Sequence, residues 1–184
     1  MKIAIDIDDT ITNTKENQIK LWKEYIKKNP NPNYNTKLPN NINEFNSGKY
    51  IDTFWDTYRE QLSFHSIYKK DVGTIIDKLK KDGHEVCIVT SRPDNKYKDL
   101  KQRIYNGLRE NNINIENIYT NALDKGIFCK QNNFDLLIDD NIKQIKSAHN
   151  NNILGILFNL NKTYKGLQTT KWKELYKIIK ELNK

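Results

Sequence analysis

The sequence predicts an α/β fold in which a parallel sheet carries helices on both faces, with a small helical cap inserted after the first strand. Two observations lead to this prediction. Short apolar runs rich in β-branched residues alternate with amphipathic helical patterns over most of the 184 residues, as in parallel sheets built from βαβ units. Two of these runs also end in clustered carboxylates, at Asp6-Ile7-Asp8 and at Asp139-Asp140, as expected where buried strands emerge at the carboxyl edge of a sheet.

The composition is typical of a globular protein with a polar surface. Hydrophobic residues make up 36% of the chain and charged residues 29%, and the mean hydropathy is −0.85. No apolar run approaches the ~20 residues that a membrane span requires, so no membrane partner is expected. The first residues lack the apolar stretch and cleavage site of a secretory signal, and we therefore expect a cytoplasmic protein, with monomer and homodimer both left open. Cys87 and Cys129 lack metal-ligand spacing and are predicted to be buried thiols.

The first strand is predicted at Lys2 to Asp8, because a β-branched apolar run there ends in carboxylates. Two helical patterns follow, Thr14 to about Lys28 and Tyr50 to about Phe64, separated by a polar, Asn-rich stretch from Asn29 to Ser47. The apolar face of the first helix is predicted at Ile19, Trp22 and Ile26. Because these helices interrupt the α/β alternation, we predict a core domain of residues 1–12 and 71–184 and a helical cap of residues 13–70.

From residue 71 onward, helices and strands alternate regularly. The first predicted helix carries Val72, Ile75, Ile76 and Leu79 and ends at Lys81-Asp82-Gly83. The other predicted helices are Tyr97 to Glu110, Asp124 to Lys130, Ile142 to His149 and Lys171 to Leu182. The predicted strands are Glu85 to Thr90, Asn117 to Tyr119, Phe134 to Ile138 and Ile153 to Phe158. Helical connections of this length between strands indicate a parallel sheet.

The string Asp6-Ile7-Asp8-Asp9-Thr10 carries the strongest chemical signal. Carboxylates this close together repel one another unless a cation or hydrogen bonds compensate. One interpretation is a solvated acidic turn. The chemical interpretation is that Asp6 attacks phosphorus as a nucleophile, while Asp8 protonates the leaving oxygen and later activates water. A divalent cation would hold such a cluster together and neutralise the phosphate.

Three further features fit phosphate chemistry. Thr90 and Ser91 follow a predicted strand and offer hydroxyls to a phosphoryl oxygen, although the same residues are common as ordinary helix caps. Lys125 offers a cation to the phosphate and to the nucleophile. Asp139 and Asp140 repeat the pattern of a buried strand followed by paired acids, and carboxylate oxygens are the ligands that Mg²⁺ prefers.

From Lys2 to about Phe158 the sequence resembles the haloacid-dehalogenase superfamily. It carries counterparts of the four motifs of that superfamily in the same order: Asp-x-Asp-x-Thr, the strand-end Thr/Ser, Lys and Asp-Asp. The resemblance implies that Asp6 forms an aspartyl-phosphate and that Asp8 is the general acid and base. It also implies a Mg²⁺ cofactor held by Asp6, by the main-chain carbonyl of Asp8, and by Asp139 or Asp140. Thr90 and Lys125 would bind the phosphate.

The finer pattern is similar to the 5'(3')-deoxyribonucleotidase branch and its bacterial relatives. It comprises Ile-Asp-Ile-Asp-Asp-Thr-Ile with an early insertion, and Lys-Gly-Ile-Phe-Cys-Lys before the second acidic pair. In those relatives the motif lysine lies four residues before a cysteine, and Lys125 with Cys129 reproduces this spacing, so Lys125 is preferred over Lys130. Asp9 departs from the pattern, because many members have glycine there.

The predicted cap carries the aromatic residues Phe54, Trp55, Tyr58 and Phe64. Flat side chains of this kind can stack on a nucleobase, and Phe54, Trp55 and Tyr58 are the candidate substrate-binding residues. The alternative is that these rings form a small core that holds the cap helices together. The predicted substrate is a small phosphate monoester, a nucleoside or deoxynucleoside monophosphate.

The net charge of +8 keeps nucleic acid in view as a partner. Most of this charge is lysine, and the forked guanidinium groups favoured in bidentate recognition are few. Two alternative enzymatic functions are a phosphatase acting on polynucleotide ends and one acting on another small phosphorylated metabolite. A third alternative is a non-catalytic phosphate-binding protein, since fold does not determine function. A steep loss of affinity with salt would indicate the polynucleotide substrate.

Overall fold

The computed structural model describes residues 1–28 and 51–183. The chain forms two compact units, Met1–Ile11 together with Tyr68–Lys184, and Thr12–Ile67. The predicted Asn-rich stretch from Asn29 to Ser47 lies outside the described residues.

In chain order, the helices of the smaller unit are α1 (Thr14–Lys28) and α2 (Ile51–Phe64). Those of the larger unit are α3 (Val72–Lys81), α4 (Leu100–Glu110), α5 (Lys125–Gln131), α6 (Ile142–Asn150) and α7 (Trp172–Leu182). The strands are β1 (Lys2–Ile5), β2 (Glu85–Val89), β3 (Ile118–Tyr119), β4 (Leu136–Asp139) and β5 (Leu154–Leu157). Among the described residues, no helix combines the length and apolarity needed to cross a bilayer.

The five strands form one parallel sheet in the order β3-β2-β1-β4-β5. The chain builds the sheet outward from β1 to β3 and then crosses to β4 and β5 on the other side of β1. Because parallel crossovers are right-handed, this change of direction places helices on opposite faces. The predicted α/β fold with a parallel sheet is confirmed.

The core follows from the two-residue period of the strands. On one face, side chains from β1, β2, β4 and β5 form a buried cluster with residues of α5 and α6; its members include Ala4, Cys87, Val89, Cys129, Leu137, Ile145, Ala148 and Leu157. The alternate strand residues are buried as well, among them Ile3, Ile5, Ile88, Leu136 and Ile138. Both cysteines are free and buried, which confirms the predicted buried thiols.

The first strand ends earlier than predicted. β1 stops at Ile5 rather than at Asp8, because the chain turns immediately afterwards: the amides of Thr10 and Ile11 both donate to the carbonyl of Ile7, at 3.3 and 3.0 Å. Asp9 completes the turn with φ 57°, in the left-handed region that glycine adopts freely and that aspartate tolerates better than most residues. This geometry explains how Asp9 takes the place of the glycine found in the resembling sequences.

The smaller unit corrects the predicted face of α1. The buried residues of this helix include Gln18, Leu21 and Tyr25, whereas Trp22 is only partly buried and packs at the edge of the cluster. The face is set by the aromatic side chains of α2, since the ring of Tyr25 lies 5.7 Å from that of Phe54. The predicted face of Ile19, Trp22 and Ile26 was therefore wrong by part of a turn.

Truncating a buried side chain of β4 should be costly. Leu137 is 0% exposed in the sheet cluster, so Leu137→Ala leaves a cavity and should lower the free energy of unfolding by about 2–5 kcal/mol. Leu154→Ala is the matched control, because Leu154 is 44% exposed and its loss should be below about 1 kcal/mol. Urea denaturation followed by circular dichroism measures both, and equal losses would contradict this account of the core.

Candidate active site

The two acidic strings, which begin at Asp6 and at Asp139, lie next to each other where the order of strand addition reverses. Ile5 of β1 pairs with Ile138 of β4, and the amide of Asp6 donates to the carbonyl of Ile138 at 3.0 Å. Asp6 and Asp139 therefore leave neighbouring strands side by side at the carboxyl edge. This is the topological switch point, where open α/β sheets bind their ligands.

Three carboxylates lie close enough to share a cation. Asp6, Asp139 and Asp140 each offer an oxygen within 4.8 Å of the others, and Asp6 and Asp139 are only 5% and 1% exposed. The amide of Asn141 donates to Oδ1 of Asp139 at 2.8 Å, which fixes that carboxylate. Clustered hard oxygen donors suit a hard divalent cation. The carboxylate of Asp8 is not a member of this group.

Lys125 closes the acidic cluster. Its Nζ donates to Oδ1 of Asp6 at 2.5 Å and to Oδ2 of Asp139 at 2.6 Å, and its side chain is almost completely buried. Lys130, the other lysine considered from the sequence, is exposed. The structure therefore brings Lys125 to the candidate nucleophile.

The position of Lys125 depends on close packing between α5 and α6. Gln144 of α6 accepts from the amide of Lys125 at 2.9 Å and donates to the carbonyl of Leu123 at 2.9 Å, so it holds the segment that leads into α5. A Cβ at Gly126 would lie 2.3 Å from the main chain of Ser147, so no larger residue fits there. Gln144 was not predicted from the sequence, because an isolated glutamine on a helix belongs to no recognisable motif.

Asp8 lies against Arg92. Nη2 and Nε of Arg92 donate to Oδ1 and Oδ2 of Asp8 at 2.8 and 3.1 Å. The arginine is 8% exposed. The sequence pattern predicts chemistry only for the hydroxyl residues of this turn and not for Arg92. The signal that could have found it is the parallel pairing of β1 with β2, which places the turns after both strands side by side.

Thr90 and Ser91 lie at the carboxyl end of β2, at the same edge of the sheet as Asp6. Thr90 is 1% exposed, and its Oγ1 accepts from the amide of Arg92 at 3.3 Å. Ser91 is partly buried. The turn is thus shaped by its own hydroxyl, and the parallel pairing of β1 with β2 places it next to the turn that begins at Asp6.

Burial sets the electrostatics of the cluster. Burial raises the pKa of Asp6 to about 7, with the charge of Lys125 opposing the rise and that of Asp139 adding to it. Burial together with the charges of Asp6 and Asp139 raises the pKa of Asp140 to about 8. Burial alone would lower the pKa of Lys125, but the charges of Asp6 and Asp139 raise it above its ordinary value. One ammonium group does not fully offset these carboxylates, and an additional cation fits this donor set.

The candidate substrate-binding residues belong to the smaller unit. Phe54 is completely buried among Leu21, Tyr25 and Leu62, and Trp55 and Tyr58 are partly buried against it. The ring of Phe54 lies 5.2 Å from that of Tyr58. These rings therefore form a core within the unit, and a substrate-binding role for Phe54, Trp55 and Tyr58 stays a prediction.

Solved structures of haloacid-dehalogenase-type hydrolases share this fold. A predicted phosphatase from Clostridium acetobutylicum has 16% identity and a TM-score of 0.67, with 98% of each chain covered. YfnB of Bacillus subtilis, assigned as a HAD-hydrolase and bound to magnesium, has 14% identity and a TM-score of 0.66, with 97% of this chain and 98% of that one covered. A HAD family hydrolase from Deinococcus radiodurans with bound phosphate and sodium has 11% identity and a TM-score of 0.64, with 99% and 96% covered.

At these identities the shared property is the fold. No protein-family profile matches the chain, and no curated protein matches it. The sheet with its helices is therefore that of haloacid-dehalogenase-type hydrolases, and the chemistry must be argued from the site.

The raised pKa values predict how stability depends on pH when divalent cations are removed. The folded protein keeps protons on Asp6 and Asp140 that the unfolded chain loses near the ordinary aspartate pKa of 3.8. These two groups therefore contribute less stability as the pH rises from about 4 through about 7 and 8.

Asp140→Asn removes one of these titrations, so the fall in melting temperature from pH 5.5 to pH 8 in chelator should be smaller than in wild type. Asp77→Asn, at an exposed position of α3, is the control and should keep the wild-type slope. Calorimetry in chelator measures all three proteins, and identical slopes in wild type and Asp140→Asn would refute the prediction.

Proposed function

We propose that this chain is a Mg²⁺-dependent phosphomonoesterase that uses Asp6 as its nucleophile, with nucleoside or deoxynucleoside monophosphates as substrates. The observation that carries the proposal is the buried carboxylate of Asp6, held by Lys125 at 2.5 Å beside Asp139. A second carboxylate, Asp8, follows two residues later in the same turn. This arrangement supplies a nucleophile, a cation for the phosphate and a separate acid at the switch point of the sheet.

Asp6, Asp139 and Asp140 are the residues proposed to hold Mg²⁺, together with the main-chain carbonyl of Asp8. The 4.8 Å spacing of the three carboxylates supports this assignment, as does the magnesium bound to YfnB on the same fold. When bound, the ion neutralises charge on the phosphate and on the carboxylates.

The reaction proceeds in two displacements. The carboxylate of Asp6 attacks phosphorus, the bond from phosphorus to the leaving oxygen breaks, and Asp8 gives that oxygen a proton. Water then attacks the aspartyl-phosphate while Asp8 takes a proton from it, which releases inorganic phosphate and restores Asp6. Lys125, Thr90 and Ser91 stabilise the transferring phosphoryl group.

The preference for nucleotides rests on the second unit. We propose that residues 13–70 form a cap, and that Trp55 and Tyr58, which are only partly buried, contact the base with Phe54 supporting them. The similarity to the deoxyribonucleotidase branch supports the same substrate class. A polynucleotide end is the second candidate substrate, favoured by the net charge of +8.

The substrate and the metal are tested together on a panel of phosphate monoesters. With Mg²⁺, release of inorganic phosphate should be faster from nucleoside monophosphates than from sugar phosphates. EDTA should abolish release and Mg²⁺ restore it, whereas Ca²⁺ should substitute poorly because its looser coordination misplaces the nucleophile. Full activity in EDTA would refute the requirement for Mg²⁺. A preference for sugar phosphates would refute only the assignment of nucleotides as substrates.

The dependence of activity on ionic strength distinguishes an enzyme acting on polynucleotide ends from a mononucleotidase. Activity on a phosphorylated oligonucleotide that falls by orders of magnitude between low and moderate salt, together with weak activity on mononucleotides, would favour the end-processing function. A mononucleotidase should show only a shallow salt dependence.

Substitution of Asp6 and substitution of Asp8 should reduce activity in different ways. Asp6→Asn removes the anionic nucleophile, so release of phosphate should fall to background on every substrate. Asp8→Asn keeps the nucleophile but loses the general acid and base, which costs about 10²–10⁴-fold on a nucleotide. On p-nitrophenyl phosphate, whose phenolate leaves without a proton, the loss in kcat/KM should be much smaller.

Mass spectrometry should detect a phosphorylated Asp6 in Asp8→Asn, because hydrolysis of that intermediate is slowed. Asp77→Asn, remote and exposed, serves as the control for both substitutions, with circular dichroism to check folding. Wild-type activity in folded Asp6→Asn would place the nucleophile elsewhere and overturn the proposal.

A further inference from the structure

We infer that Arg92 is a positioning residue for Asp8, and that the Arg92–Asp8 pair determines how well the protein expels a poor leaving group. The inference rests on the proposed function, since it concerns the acid of that reaction. It adds a residue that lies outside the four sequence motifs.

Arg92 contacts both carboxylate oxygens of Asp8. Nη2 of Arg92 donates to Oδ1 of Asp8 at 2.8 Å, and Nε donates to Oδ2 at 3.1 Å. A guanidinium fork that binds both oxygens of a carboxylate fixes the plane of that carboxylate as well as its position. A single ammonium group would bind one point and leave the carboxylate free to rotate.

Arg92 is the anchored partner of this pair. Its side chain is 8% exposed, against 39% for that of Asp8. For comparison, the ion pair between Arg59 and Asp56 is open to solvent, with 30% and 74% of the side chains exposed, and contacts of that kind constrain little. A buried guanidinium is strongly disfavoured without an anionic partner, so the pairing with Asp8 is retained in the folded protein.

The main chain of Arg92 is fixed on both sides. Its amide donates to Oγ1 of Thr90 at 3.3 Å, and its carbonyl accepts from the amide of Asn121 at 3.0 Å. The turn after β2 therefore holds the base of the arginine, and the arginine in turn holds Asp8. The position of the general acid is set by a neighbouring strand as well as by its own turn.

The bidentate contact leaves Asp8 able to do chemistry. An ionised carboxylate has about four lone-pair directions, and the two bonds from Arg92 take one on each oxygen. A general acid must lie within hydrogen-bond reach of the leaving oxygen, and an error of about 1 Å in such a position can cost about 10²-fold. Orientation of Asp8 should therefore matter most for a leaving group that requires a proton.

The test compares two leaving groups. Arg92→Gln and Arg92→Lys are assayed with Mg²⁺ on p-nitrophenyl phosphate and on the best alkyl phosphate of the panel, whether nucleotide or sugar phosphate. We use kcat/KM because it reports the step in which the leaving group departs. Arg92→Gln should lose about 10- to 100-fold on the alkyl phosphate and less than about 3-fold on p-nitrophenyl phosphate.

Arg92→Lys keeps the charge without the fork, so its loss on the alkyl phosphate should be intermediate. Arg109→Gln, which removes a charge from an exposed position of α4, should match wild type on both substrates. In the Asp8→Asn background, Arg92→Gln should cause no further loss in kcat/KM, because two residues that act through one group are not additive.

Each other outcome overturns the inference. Equal losses on both substrates with a raised KM would make Arg92 a phosphate-binding residue, and equal losses with a lowered melting temperature would make it a structural one. If Arg92→Gln does not fold, the ratio between the substrates in Arg92→Lys decides. A wild-type protein that releases no phosphate from any monoester overturns the proposed function as well, whereas an active wild type with equal losses overturns this inference alone.

Discussion

The arrangement of the site depends on one electrostatic constraint, the burial of Asp6 and Asp139 beside a single ammonium group. Charges taken out of water are costly unless they are paired and hydrogen-bonded, and Lys125 makes both contacts, at 2.5 and 2.6 Å. Because the lysine is almost completely buried, it has to approach from within the fold. The constraint therefore extends to the helix that carries it.

That helix is placed by packing as much as by hydrogen bonds. Gly126 brings α5 against the main chain of α6, and Gln144 of α6 binds the amide of Lys125 and the carbonyl of Leu123 just before it. Since α6 follows directly after Asp139 and Asp140, the same short segment supplies the second acidic pair and the support for the lysine. A change at this helix contact would thus move the cation and the carboxylates relative to each other.

Much of this architecture can be predicted from the sequence, because buried strands and paired acids leave local patterns. The alternation of strands and helices identified the parallel sheet, and the acids after two strands had to meet once β1 and β4 were neighbours. The face of α1 was predicted wrongly, since it depends on aromatic residues of another helix that no local period reveals.

Arg92 escaped prediction for the same reason: its partner Asp8 is close only through the pairing of β1 with β2. Gln144 likewise acts on a loop distant in sequence, through contacts that only tertiary packing creates. Residues that carry chemistry recur in compact strings, whereas the residues that position them are found through the fold.

The carboxylates of Asp6 and Asp8 occupy different environments although they are only two residues apart. Asp6 is buried with an ammonium partner and two neighbouring acids, and burial is the largest influence on its pKa. Asp8 is partly exposed and is bound by the planar guanidinium of Arg92, from the turn after β2. A lysine contributes a point charge, whereas an arginine also imposes direction. In the proposed function Asp6 is the nucleophile and Asp8 the acid, and distinct environments separate roles of this kind. In this chain two different cations from two different elements create those environments.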